Sequence, residues 1–261
     1  MNNNYRSEDR FRKNKIDNKE ILFGIHPVIE AIRAGREIER ILIQKEQITP
    51  NLSELISEAV ARKIPYTKVP VEKLNSITKK AHQGIICFIS SVSYASLDNV
   101  VNDAYQTGKV PLILVLDRIT DVRNFGAIAR TAECCGVHAI VIPSKGAAQI
   151  NSDAVKTSAG ALSHIPVCRE DNLKQTLTYL KESGLQIVAC TEKGSLELSN
   201  FDYTVPLAII MGSEEDGISA EYLKKADAEV KIPLVGKVSS LNVSVATGMV
   251  IYEVMRQRGW K

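Results

Sequence analysis

The chain lacks the residue patterns of disulfide-stabilised, zinc-binding and membrane-spanning proteins. Its five cysteines are odd in number and none has C-x-x-C spacing, which argues against a disulfide framework or zinc ribbon and suits a reducing compartment. No apolar run approaches the roughly 18 residues of a transmembrane helix. The polar N-terminus also lacks the apolar core of a secretory signal. We therefore expect a cytoplasmic protein with no membrane-spanning segment.

Motifs for nucleoside triphosphates and for metals are missing as well. Neither G-x-x-x-x-G-K-[ST] nor G-x-G-x-x-G occurs, and the glycine-flanked loop at 212–217 contains three consecutive acids that would repel a triphosphate. The four histidines are far apart in the sequence, so no metal site is expected. A small-molecule nucleotide enzyme is therefore disfavoured.

The excess positive charge lies at the N-terminus. The net charge is +3, and residues 1–19 hold six basic against three acidic residues, so the remaining chain is neutral. This Asn-rich tail is predicted to be disordered. It is either a solubilising terminus or a segment that holds nucleic-acid phosphates without reading sequence. Because aromatic residues make up only 5% of the chain, any RNA contact should depend on shape and phosphates more than on base stacking.

Apolar periodicity divides the rest of the chain into two α/β regions. Residues 20–92 have a β-α-β-α-β-α-β pattern, which predicts a small α/β domain. Residues 93–109 are polar, with a weak helical pattern, and are predicted to be a linker. From 110 to 261, short apolar runs such as Leu112–Leu116 and Leu207–Met211 alternate with helical segments, as in a mostly parallel sheet buried on both faces. Ligands bind at the carboxyl ends of such strands.

Three segments that follow predicted strands of the second region carry unusual polar residues. In the first, Asn124 is placed to cap the N-terminus of a helix. Arg130 has Gly126 and Ala127 at i−4 and i−3, and such small neighbours would leave space for a phosphate or a ribose. The alternative for Arg130 is a surface pair with Glu133, worth about a few tenths of a kcal/mol.

The other two segments also have structural explanations. The turn between Gly212 and Gly217 places acids where a helix start would favour them through the macrodipole. The third segment, 232–248, leads into the last helix, with Ser240 predicted as its N-cap and Asn242 in its first turn. A capped and tightly packed helix explains this segment without any function, and that alternative stays open.

Together these segments resemble the three signature motifs of the SpoU (TrmH) family of RNA ribose methyltransferases. N-x-G-A-I-A-R at 124–130, I-M-G-S-E-x-x-G at 210–217 and I-P-L-x-G-x-V-S-S-L-N-V-S-V-A at 232–246 match in order and spacing. The first region is similar to the family's small L30e-like RNA substrate-binding domain, through F-G-I-H-P-V at 23–28 and H-Q-G-I at 82–85.

The resemblance implies a fold, a cofactor and a reaction. The fold is a C-terminal SPOUT α/β knot, a trefoil-knotted and mostly parallel sheet, in a homodimer whose active sites lie near the interface. The cofactor is S-adenosyl-L-methionine, bound by Thr191, Met211, Gly212, Ile232 and Leu241. The reaction is methyl transfer to a ribose 2′-hydroxyl, for which no metal is required, with the catalytic residues Arg130, Asn124, Glu214, Ser240 and Asn242. Because a guanidinium stays protonated, electrostatic positioning by Arg130 is expected, and a general-base role stays open.

Within the family, the chain is most similar to enzymes that methylate a guanosine of 23S rRNA, either as free RNA or in an assembling large subunit. One alternative is the same chemistry on a tRNA ribose, which the first domain disfavours because tRNA-directed relatives more often carry short terminal extensions. The other is a non-catalytic RNA-binding or ribosome-assembly protein, which the complete set of motif residues disfavours.

Overall fold

The computed structural model describes residues 21–46, 49–148 and 150–260. The basic tail, residues 1–19, lies outside these residues. The described residues form two sheets, one of four strands and one of seven. No helix among them is long and apolar enough to cross a membrane.

The first α/β unit has the predicted order of strands and helices. Its elements are β1 (Ile21–Phe23), α1 (Ile25–Arg33), β2 (Ile38–Gln44), α2 (Pro50–Ala61), β3 (Tyr66–Val69), α3 (Val71–Ile77) and β4 (Ile85–Ile89). The sheet order is β1-β4-β2-β3, with β4 antiparallel to β1 and β2 and with β2 parallel to β3. The β-α-β-α-β-α-β prediction is confirmed.

Strand β2 carries a bulge at Glu39. Ile38 is paired with Ile89 and Arg40 with Phe88, so Glu39 is an extra residue opposite β4. A bulge leaves the extra residue out of the ladder and redirects its side chain. Glu39 is therefore available to groups outside its own sheet.

The second unit contains a seven-stranded sheet in which every adjacent pair is parallel. Its elements are α4 (Leu97–Gln106), β5 (Leu112–Leu116), α5 (Val122–Cys134), β6 (Ala139–Pro143), α6 (Ser152–Thr157), β7 (Val167–Glu170), α7 (Leu173–Glu182), β8 (Gln186–Cys190), β9 (Leu196–Glu197), β10 (Leu207–Met211), α8 (Ala220–Leu223), β11 (Ala228–Lys231) and α9 (Val243–Arg258). The sheet order is β7-β6-β5-β10-β8-β11-β9. The predicted α/β class with a mostly parallel sheet is confirmed.

Both faces of this sheet are covered by helices, which is why β5 and β10 are apolar throughout. Alternate residues of β5 join two different cores, one built with α5 and α9 and the other with α4 and α7. The segment 93–109, expected to be a linker, carries α4, whose Leu97 and Val101 are buried against the sheet.

The bounds of some elements differ from those that the local pattern predicts. Apolar residues predict a strand at 165–167 and a helix at 152–161, whereas strand β7 is Val167–Glu170 and helix α6 ends at Thr157. The cap of helix α6 is Ser158, and two left-handed residues follow it, Ala159 with φ of 50° and Gly160 with φ of 92°, before a short 3₁₀ turn. Left-handed residues end a helix, and glycine adopts that conformation at little cost.

Candidate active site

A cavity of about 340 Å³ lies at the carboxyl ends of β8, β10 and β11. It is lined by all five residues predicted to bind a cofactor: Thr191, Met211, Gly212, Ile232 and Leu241. Glu214 and Ser240, from the predicted catalytic set, line it too. Its size is in the range of pockets that hold small organic ligands, so one ligand could contact residues from four separate segments of the chain.

Glycines allow the main chain to form tight walls around this cavity. A Cβ on Gly212, which lines the cavity, would lie 2.2 Å from the carbonyl carbon of Gly217, and one on Gly194, next to the lining residue Lys193, would lie 2.5 Å from that of Val230. Real Cβ atoms do not approach other atoms so closely, so both positions require glycine. The turn from Ser213 to Gly217 is closed by two main-chain hydrogen bonds, of 3.2 and 3.0 Å.

Three predicted catalytic residues, Asn124, Glu214 and Asn242, form one hydrogen-bonded cluster beside the cavity. The amides of Asn124 and Asn242 both donate to Glu214 Oε1, at 3.1 and 2.8 Å. Asn242 Nδ2 also donates to Asn124 Oδ1 at 3.0 Å. The cluster joins the first turn of α5, the loop after β10 and the start of α9.

Both predicted N-caps are wrong, by three residues for α5 and by two for α9. Asp121 caps α5, because its carboxylate accepts the backbone N–H of Asn124 at 2.8 Å. Asn242, not Ser240, caps α9, because its Oδ1 accepts the N–H groups of Ser244 and Val245. Asn124 therefore lies inside the first turn of α5, where its amide is available to Glu214.

Arg130 does not line the cavity, and the space predicted beside it is filled. Gly126 packs against α6, where a Cβ would lie 2.7 Å from the Cβ of Thr157. The small residue thus permits close helix packing instead of opening room for a ligand. Arg130 itself is exposed on α5, and it forms no ion pair with Glu133.

A buried carboxylate that the sequence prediction did not single out holds the loop after β10. Asp117 is 1% exposed and accepts the N–H and the hydroxyl of Ser219, both at 2.7 Å. It also accepts Arg118 Nε at 3.1 Å, and this bond raises the pKa of Arg118. Arg118 in turn donates to Asp216 at 2.9 Å and to the carbonyl of Gly217 at 3.2 Å. A carboxylate directly after five buried apolar residues was the available signal, because burial of a charge requires partners.

The cavity offers no reactive thiol. Burial raises the pKa of Cys190, which lines it, to about 12. The thiol therefore stays protonated near neutral pH and is a poor nucleophile. Among the residues that the structure describes, no group of three His, Cys, Asp or Glu side chains could hold a metal ion.

Comparison with known proteins finds family models on both units. Residues 111–252 match the SpoU rRNA Methylase family. Residues 21–95 match the family of domains described as RNA 2′-O ribose methyltransferase substrate binding. The two matches cover the cavity and the first α/β unit respectively.

Individual relatives cover nearly the whole chain. YacO of Bacillus subtilis (strain 168), assigned to the TrmH family of tRNA/rRNA methyltransferases, is 35% identical over 91% of this chain and 95% of its own length. The AdoMet-bound rRNA methyltransferase of Sinorhizobium meliloti is 25% identical, with a TM-score of 0.57 over 91% of this chain and 87% of that one. The TrmH/SpoU tRNA modifying enzyme of A. aeolicus is 33% identical, with a TM-score of 0.53 over 62% of this chain and 84% of that one.

Proposed function

This chain belongs to the SpoU rRNA methylase family, and from that premise we propose that it methylates the ribose 2′-hydroxyl of a guanosine in 23S rRNA. As a member of the family it is an S-adenosylmethionine-dependent RNA methyltransferase. The observation that carries the proposal is that three distant segments, which match the three family motifs, meet in one hydrogen-bonded cluster beside the cavity.

The residues around the cavity fit the methyl donor. Met211, Ile232 and Leu241 supply apolar surface for an adenosyl group, beside walls of closely packed main chain. Glu214, Glu215 and Asp216 also line the cavity, and carboxylates suit a ligand with a positive sulfonium and no phosphate. When bound, S-adenosylmethionine supplies a methyl group that is already activated for transfer.

The protein then has to orient the acceptor and stabilise its charge. The cluster of Asn124, Glu214 and Asn242 fixes three motifs relative to one another, so polar groups beside the cavity are preorganised for the ribose. We assign Arg130 the role of holding the acceptor phosphate and ribose by its charge. A guanidinium remains protonated at neutral pH, so this role is electrostatic.

A second copy of the chain is the proposed neighbour of the site. Val238, Val245, Met249 and Tyr252 are exposed by 43–76%, and they continue from the loop beside the cavity onto α9. A groove of about 440 Å³ lies on the same helix. Helix α9 packs against α5, the helix that carries Arg130. A copy seated on α9 would cover apolar surface and border both the cavity and the helix of Arg130.

Sedimentation tests this dimer. The wild-type chain should sediment as a dimer, and Met249→Glu should give a folded monomer with little methylation, because a charge on an apolar interface is costly. A monomeric wild-type chain with full activity would contradict the proposal.

The threaded chain implied by the family is also proposed here. Strand β10 lies between β5 and β8 in the sheet, and β11 lies on the other side of β8. After β11 the chain returns across the sheet, because α9 packs against α5. Pulling on both termini in a force experiment should leave an extended length shorter than that of the full chain by the residues held in the knot. A full contour length would exclude threading.

The first unit is proposed to hold the RNA at one end of its four-stranded sheet. At this end lie the last residues of β1 and β2 and the first residues of β4. This end exposes His26, Lys45, Lys79, Lys80 and Gln83. Lys79→Ala with Lys80→Ala should weaken RNA binding and reduce its salt dependence, because each lost phosphate contact lowers the salt slope by about 1. Lys174→Ala, on α7, is the matched control and should leave both unchanged.

Mapping of ribose methylation in large-subunit RNA, with and without the protein, tests the substrate. A guanosine that loses its 2′-O-methyl group in cells without the protein, and that regains it in vitro, is the expected result. Similarity to a tRNA modifying enzyme favours tRNA as the second candidate, so tRNA is mapped in parallel. Calorimetry with S-adenosylmethionine distinguishes a methyltransferase, which binds this donor, from a non-catalytic RNA-binding protein, which would show no binding.

A further inference from the structure

Three polar side chains form a largely buried cluster where the two units meet. The Tyr94 hydroxyl donates a hydrogen bond to Glu39 Oε2. The Arg169 guanidinium lies 4.0 Å from the centre of the Tyr94 ring, and its Nη1 is 4.0 Å from Glu39 Oε2. The side chains of Arg169 and Glu39 are only 11% and 14% exposed.

Each member of the cluster comes from a different part of the chain. Glu39 is the bulged residue of β2 in the first unit. Tyr94 belongs to the segment between the units, which pairs with Val167 through a bridge and through the 2.8 Å bond from Ala95 N to Val167 O. Arg169 lies on β7, at the edge of the large sheet.

Arg169 also binds the main chain of the first unit directly. Its Nη1 donates to the carbonyl of Ile38 at 3.0 Å and to that of Glu39 at 3.2 Å. The bulge at Glu39 makes such contacts possible, because it interrupts the pairing of β2 with β4 at that point. Burial raises the pKa of Glu39, and the hydrogen bond from Tyr94 and the charge of Arg169 oppose that rise.

The arrangement restricts the angle between the units. A largely buried polar cluster whose members satisfy one another favours a single geometry, because other geometries lose hydrogen bonds between groups that are shielded from most of the solvent. Beside the cluster the units are separated by an open cleft of about 640 Å³, which Arg62 and Lys63 line from one side and Asp98 and Glu170 from the other. The units thus have room to move if the cluster is broken.

We propose that Arg169, acting through Tyr94 and Glu39, is a positioning residue that sets where the first unit presents RNA to the cavity. The inference rests on the proposed function. Strand β2 leads from this cluster to the exposed loop end, and its seven residues span roughly 20 Å at about 3.3 Å per residue. A tilt of about 10° at the cluster would displace the loop end by roughly 3–4 Å. A displacement of about 1 Å can already cost about 100-fold in rate.

The test replaces each side chain by its nearest relative and measures motion and turnover separately. Arg169→Lys keeps the charge but loses the planar group that stacks on Tyr94 and reaches two carbonyls. Tyr94→Phe keeps the ring and loses the hydroxyl, and it serves as the second variant if Arg169→Lys folds poorly. Arg33→Lys is the control, because Arg33 forms exposed ion pairs with Glu54 and Glu58 within the first unit.

We measure the relative tumbling of the two units by NMR relaxation, the donor affinity by calorimetry and the single-turnover rate at saturating RNA and donor. Arg169→Lys should free the units to tumble separately and slow methyl transfer at least 10-fold, with donor affinity within 2-fold of wild type. The control should match wild type in all three.

Three results would overturn the inference: separate tumbling with an unchanged rate, a slower rate with rigid units, or no change in either quantity for both variants. A wild-type chain that methylates no RNA would instead contradict the proposed function. In that case the tumbling measurement still decides whether the cluster locks the units together.

Discussion

Asn242 Nδ2 donates to Glu214 Oε1 at 2.8 Å, and this bond attaches the start of the last helix to the loop after β10. The same asparagine uses its other side-chain atom, Oδ1, to cap the helix. One residue thus serves helix stability and site geometry through different atoms, and the two roles can be separated by substitution.

Asn242→Asp should reduce activity with little effect on stability. Aspartate caps a helix about as well as asparagine, but it cannot donate to Glu214 and places two carboxylates side by side. We expect at least 10-fold slower methyl transfer and a change in unfolding free energy below about 1 kcal/mol, measured by single-turnover assay and urea denaturation. Asn172→Asp, at the N-cap of α7, is the control and should leave the rate unchanged. Equal rates for the two variants would mean that Asn242 only caps the helix.

Arg130→Ala should remove methylation while S-adenosylmethionine still binds. Arg130 is exposed and lies outside the cavity lining, so its loss leaves the donor site intact but removes the charge proposed to hold the acceptor. A loss of about 100- to 1000-fold in turnover is expected, with donor affinity unchanged by calorimetry. Arg123→Ala, on the same helix, should stay near wild type. Near-normal turnover of Arg130→Ala would refute the assignment.

Gly212→Ala should abolish donor binding. The added Cβ would lie 2.2 Å from main-chain atoms of Gly217, so the loop that lines the cavity must shift. Gly236→Ala provides the comparison, because a Cβ there meets nothing within 4 Å. Calorimetry with S-adenosylmethionine should detect no heat for the first variant and a normal affinity for the second. Binding by Gly212→Ala within 2-fold of wild type would show that this loop does not shape the donor site.

Asp117→Asn should destabilise the chain by about 2 kcal/mol and weaken donor binding. The substitution removes a buried carboxylate that accepts bonds from Ser219 and Arg118, and an amide cannot satisfy all of these donors. Asp216 is the exposed partner of Arg118, and the Asp216 side chain is 68% exposed. Asp216→Asn should therefore lower the unfolding free energy by less than about 0.5 kcal/mol. Urea denaturation compares the two variants. Equal losses of unfolding free energy in the two variants would show that burial does not determine how much Asp117 contributes to stability.

Much of the fold could be predicted from sequence because its strands are defined by burial. Continuous apolar runs placed β5 and β10 at their observed bounds, since a strand covered on both faces carries no polar residues. Strand β9 was missed for the opposite reason. Its two residues are exposed, and pairing with β11 alone defines them as a strand.

The site was harder to predict than the fold because its geometry depends on contacts between distant segments. The motifs identified the residues around the cavity, but a linear pattern cannot show which side-chain atom finds a partner 90 or 118 residues away. The local pattern therefore favours Asn124 and Ser240 as caps, whereas the structure has Asp121 and Asn242. Nothing local to Gly126 shows that α6 packs onto it.

The bond between Asn124 and Asn242 spans 118 residues, and this separation fixes the order in which the molecule can become functional during translation. The first α/β unit is complete at Ile89, the last residue of β4, and it can fold while the rest of the chain is still being synthesised. The transfer centre must wait for the last helix to emerge. A nascent chain therefore completes the unit proposed to hold RNA well before it completes the proposed site of methyl transfer.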